Sequence, residues 1–185
     1  MRMFQKAGCM ILVAYALMLG TGVAQAALVN FQLTGDVDAW ADSGNSYGLN
    51  MGDAISATGM FDDSVLTGGT GTVSFGSGSG NSLALNVGSF MFTAVDDVNY
   101  AIGYPQMSLN AGVFDGLNVS ISFGASSSFD SLNTWFDAYD DGGNLVSGTW
   151  TSFQMTPVPV PAAVWLFGSG LLGLAGVARR KRNKK

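Results

Sequence analysis

The 185-residue chain has no histidine and no glutamate, and its one cysteine, Cys9, stands near the start. Its eight basic residues are Arg2, Lys6, Arg179, Arg180, Lys181, Arg182, Lys184 and Lys185, so all lie near an end. Between Ala27 and Thr156 there are 13 aspartates and no positive side chain. These absences exclude a Ser-His or Cys-His nucleophile, a lysine Schiff base, a zinc site and an arginine clamp from the middle of the chain. No disulfide is available there. A surface this acidic repels phosphate backbones, so no nucleic-acid partner is expected.

The two ends are organised differently from the middle. Arg2 and Lys6 precede an apolar run from Ala7 to Gly20, and Ala24-Gln25-Ala26 then supplies small residues before Ala27. Basic start, short apolar run and small-residue site together predict a secretory signal peptide over 1–26, cut between Ala26 and Ala27. The run is short against the ~20 residues of a spanning helix, which disfavours a retained anchor. Signal peptidase and the Sec translocon are the implied partners.

At the other end, residues 157–185 fall into three parts. Pro157, Pro159 and Pro161 make a stiff extended segment. Ala162 to Ala178 is a run of 17 residues without charge, which as a helix is just long enough for a thin bilayer. Six of the last seven residues are then basic, which predicts a cytoplasmic tail and an external domain.

This tail resembles the PEP-CTERM sorting signals of Gram-negative bacteria, in their VPLPA variant. The resemblance is carried by Val158-Pro159-Val160-Pro161-Ala162, by Trp165 in the apolar run, and by Arg179-Arg180-Lys181. Val160 replaces the leucine of that variant. The resemblance implies an exosortase as processing partner and a precursor held in the inner membrane. It also implies a final location at the cell surface or outside the cell, with a structural or adhesive role linked to exopolysaccharide or biofilm.

The remaining segment, 27–156, is long enough for one domain. Its only long polar side chains of the helix-favouring kind are Gln32, Gln106 and Gln154, and 19 of its 130 residues are glycine. Both facts disfavour helices. Alternation at Val29, Phe31 and Leu33, at Ile55, Ala57 and Phe61, and at Leu117, Val119, Ile121 and Phe123 predicts strands. The phase slips between Val87 and Phe90, which calls for a bulge or tight turn at Gly88-Ser89. Further strands are expected over 132–139 and 145–153, with a turn at 140–144, and Asp115-Gly116 has the chemistry of a hairpin turn. The expected class is all-β, an antiparallel β-sandwich or jelly roll.

Aspartate is the only strong functional group left. Asp42-Ser43-Gly44 is a single copy of an aspartic-protease-like triplet, and an Asx turn explains it without chemistry. Nearly every aspartate is expected in a turn, with Asp137 the exception in mid-strand. No catalytic residue is assigned, and the chain is not expected to be an enzyme. Two ligand classes stay open. Asp36, Asp38, Asp42, Asp140 and Asp141 are candidate ligands for a structural calcium ion, because hard cations take clustered carboxylates. Trp40, expected in a loop among Asp38, Asp42 and Gly44, is the candidate sugar-stacking face; Tyr47, Trp135, Tyr139 and Trp150 are alternatives, but aromatics on strands are more often core. A carbohydrate- or calcium-binding module is thus the alternative to the matrix role.

Overall fold

The computed structural model describes residues 27–158. Ten strands run β1 Leu28–Ala41, β2 Ala54–Asp62, β3 Gly71–Ser74, β4 Ser82–Val87, β5 Phe90–Thr93, β6 Gln106–Asn110, β7 Val113–Phe123, β8 Ser127–Leu132, β9 Trp135–Tyr139 and β10 Leu145–Pro157. Three single 3-10 turns are the only helical elements among the described residues. None of these is long and apolar enough to cross a membrane, and the two apolar runs near the ends lie outside the described residues. So do Ala24, Ala26, Pro159, Val160, Pro161, Ala162, Trp165, Arg179, Arg180 and Lys181.

The all-β, antiparallel class is as the alternation predicts. The strands form one curled sheet in the order β3-β6-β7-β8-β9-β10-β1-β2-β4-β5. Pairing is continuous, where a sandwich or jelly roll would divide it between two facing sheets. The reason is local: β6 to β10 succeed one another as hairpins, and the long β1 and β10 pair from Val29↔Pro157 to Ala41↔Val146. The sheet curls until the segment after β5 meets β7. There Asp97 bridges Ile121, the Val98 amide donates to the Ser120 carbonyl at 2.9 Å, and the Ser120 amide donates to the Asp97 carboxylate at 2.8 Å. Asp97 is buried at this seam and completes pairing that backbone alone leaves open.

The inner face is one apolar core. Val29, Phe31, Leu33 and Val37 point inward from β1, and Leu117, Val119 and Ile121 from β7. Aromatic contacts run through it: Tyr47 meets Phe90, Phe92 meets Phe123 at 4.9 Å, Phe129 meets Phe136, and Phe136 meets Trp150 at 5.5 Å between ring centres. Such pairs add about 0.5–1.5 kcal/mol each beyond area burial.

The phase slip after Val87 is a two-residue turn. Val87 pairs with Phe90, and Gly88 has φ 58°. A Cβ at Gly88 would lie 2.0 Å from the Tyr47 carbonyl oxygen, so close approach as well as backbone sign demands glycine. Two expectations need correction. The β6–β7 turn is Ala111-Gly112, with φ 52° and 79°, and Asp115 is the extra residue of a bulge between the Ser108↔Gly116 and Leu109↔Phe114 pairs. Gly116 is needed because a Cβ there would meet the Asn133 Cα at 2.7 Å. The stretch expected as a single strand over 132–139 is broken by the Asn133-Thr134 turn, and Leu132 ends a separate strand, β8.

Candidate functional site

Beyond its core, the sheet presents an outer face built by β8, β9, β10 and β1. Alternation sends Phe136 and Ala138 inward from β9 and leaves Trp135, Asp137 and Tyr139 outside. On β1, Val37 is inside while Asp36, Asp38 and Trp40 point out; Trp40 is thus not in a loop, because β1 stays paired with β10 as far as Ala41. Register then aligns these side chains. One cross-strand row reads Ser120, Asp130, Asp137, Ser147, Trp40. The next row reads Leu132, Trp135, Thr149, Asp36. Trp40 and Trp135 therefore stand on strands separated by one strand, roughly 10 Å apart in the pairing direction. Trp40 is 56%, Trp135 44% and Tyr139 42% exposed, which is unusual for side chains of this size.

Each indole is tied to a carboxylate two residues further along the chain. The Trp40 Nε1–H donates to the Asp42 carboxylate at 2.9 Å, and the Trp135 Nε1–H donates to the Asp137 carboxylate at 3.2 Å. Ser147 belongs to the outer face by alternation yet is 3% exposed, with Trp40 and Asp137 as its row neighbours. Asp130 and Asp137 are directly opposed across β8 and β9, an arrangement of like charges that costs stability. The Ser120 hydroxyl donates to Asp130 at 2.7 Å, and that of Thr149 to Asp38 at 2.6 Å. Exposed ring faces with carboxylate acceptors between them can stack on the apolar face of a sugar ring and bind its hydroxyls. With no basic side chain from Ala7 to Ala178, the face cannot attract an anionic ligand.

The remaining proposed calcium ligands are at one end of the sheet, where the loop after β1 meets the β9–β10 turn. Asp140 is buried and its carboxylate accepts from the amides of Ser46, Gly142 and Asn144 and from the Asn144 side chain. The Asn144 side chain, then the Ser46 amide, hold its pKa down at about 2. Asp42 accepts from the Leu145 amide at 2.9 Å, and that bond, with the Trp40 indole, lowers its pKa while nearby Asp140 opposes the shift. Asp141 accepts from the Ser126 and Ala125 amides and the Ser127 hydroxyl, and the Ser126 bond leads the lowering of its pKa. Burial pushes the Tyr47 phenol up, and Asp140 adds to the shift. These carboxylates act as fasteners between loops. Asp36 and Asp38 lie apart from them on β1, and among the described residues no three acidic side chains group at metal-ligand spacing.

The turn assignment of the aspartates also needs correction. Asp137 is in mid-strand as expected, but so is Asp130, and Asp36, Asp38 and Asp115 also lie in strands. Asp130 was hidden because β8, Ser-Ser-Phe-Asp-Ser-Leu, has serines on its inner face and no clear apolar period. Inward Ser127 and Ser131 are satisfied by hydrogen bonds, Ser131 with the Leu117 carbonyl and the Trp150 indole. Trp150 and Tyr47 prove to be core, whereas Trp40, Trp135 and Tyr139 share the open face.

No family model matches this chain, and neither the curated proteins nor the solved structures provide a match.

Proposed function

We propose that the chain is an exported β-domain protein, held in the inner membrane as a precursor and then processed by an exosortase. Its destination is the cell surface or extracellular matrix, with a structural or adhesive role linked to exopolysaccharide or biofilm. The observation that carries this reading is the order of parts after Thr156: proline motif, 17 residues without charge, then six basic residues in seven. The fold adds support. Strand β10 stays paired through Pro157, and the Val158 amide donates to the Leu28 carbonyl at 2.8 Å, so the motif begins where the sheet ends.

A membrane protease needs an extended backbone, and prolines keep a helix from growing out of the apolar run. Replacing Pro159 and Pro161 with alanine favours helix by about 3 kcal/mol per residue. The double substitution is expected to leave export intact and to make the uncut form accumulate in the inner membrane, as read by immunoblot of fractionated cells. Release at the wild-type level would reduce the motif to a linker. A second reading, a carbohydrate-binding module, is favoured by one observation: Trp40, Trp135 and Tyr139 are all exposed on a single outer face.

A further inference from the structure

The first described residue makes a reciprocal contact with the end of β2. The Ala27 nitrogen donates to Asp63 Oδ1 at 2.8 Å, and the Asp63 amide donates to the Ala27 carbonyl at 3.1 Å. Asp63 is half-buried, beside a recess lined by Val29, Phe61, Leu66, Met155 and Pro157. Among the described residues of β1, β2 and β10, the other titratable groups are Asp62, whose carboxylate accepts from the Ser64 amide, and Asp36 and Asp38, which lie further along β1. Immediately inside this contact, Leu28 pairs with Asp62 and Val29 pairs with both Phe61 and Pro157. The contact therefore sits where β1 enters the middle of the sheet.

We propose that cleavage between Ala26 and Ala27 converts this hydrogen bond into an ion pair with Asp63, so that the mature chain is locked at β1 more firmly than its precursor. The inference rests on the export reading. Water is the co-reactant: its hydroxyl joins the Ala26 carbonyl carbon, and the Ala27 nitrogen leaves with the proton as an amine. Near neutral pH that amine takes up a further proton. The product is an ammonium group placed against a carboxylate that is already oriented. Its charge is the only positive one before Arg179 in the mature chain, facing 13 aspartates. The ammonium adds the attraction of a full opposite charge to a bond in which, before cleavage, only the acceptor was ionised.

The sign of the pH dependence follows. An adjacent carboxylate raises the folded-state pKa of the amine above the ~7.7 of a free terminus. The stabilisation is therefore complete below that value and is lost as pH rises through the folded-state value.

The test uses the exported protein as recovered from cells, with its first residue read by N-terminal sequencing. Thermal midpoints are measured from pH 6.5 to 9.5 for the wild type, for Asp63→Asn, and for wild-type protein acetylated at its amines. The wild type is expected to start at Ala27 and to lose roughly 2–6 °C across that range. The other two are expected to melt lower at pH 7 and to show a flat profile. Should Asp63→Asn fail to fold, the acetylated protein makes the same comparison. A first residue other than Ala27 would remove the cleavage site of the export reading and the ion pair together. A chain starting at Ala27 whose profile is unchanged by acetylation would overturn the ion pair alone.

Discussion

At the scale of single residues, the domain solves an unusual electrostatic problem: it has carboxylates and no side-chain cations to pair them with. Backbone amides take that role. Asp140 is the strongest case, with its pKa held at about 2 by the Asn144 side chain and the Ser46 amide. A depressed carboxylate stabilises the fold above its unfolded-state value of ~3.9 and loses that contribution as pH falls through its folded-state value. Asp140→Ala should therefore melt below the wild type at pH 7, and the gap should narrow between pH 4 and pH 2. Thermal unfolding at a series of pH values checks this, and a gap independent of pH would refute the assignment. The sequence shows Asp140-Asp141-Gly142-Gly143-Asn144 as a turn. It does not show that the Asp140 carboxylate reaches Ser46, because that partner lies 94 residues away.

At the scale of elements, what was legible depended on periodicity. β1, β2 and β7 alternate cleanly and are where the pattern puts them. β8 escaped because its inner face is Ser127, Phe129 and Ser131, and hydrogen bonds satisfy the serines where apolar residues would have marked the strand. Without β8 the opposition of Asp130 to Asp137 is not legible, and the outer face that Trp40 shares with Trp135 depends on the long-range pairing of β1 with β10. That face carries the carbohydrate reading. Replacing Trp40 and Trp135 together with alanine should weaken binding to a neutral polysaccharide by about tenfold or more, because aromatic anchors dominate such contacts. Stability should change by no more than about 1 kcal/mol, because both side chains are largely exposed. Affinity electrophoresis in gels containing the polysaccharide, paired with thermal melts, separates the two effects. Unchanged mobility of a double variant that retains the wild-type midpoint would count against a sugar site on this face.

At the scale of the whole molecule, both ends of the domain leave from one place. Ala27 is fixed to Asp63 beside β1, and Pro157 is paired with Val29 of the same strand. A precursor carrying an apolar segment on each end would hold the curled sheet against the membrane by adjoining points. On the proposed reading, removing the first segment would free one, and cutting the proline motif would free the other. If the protein undergoes both cuts and ends outside the cell, as proposed, the covalent ends of the final form are the decisive quantity. Intact-mass analysis of the protein recovered from the cell surface and medium measures them directly. The expected chain begins at Ala27 and ends within or just after Val158 to Ala162. A surface form that still carries Arg179 to Lys185, or a full-length chain found only in the cytoplasm, would contradict it.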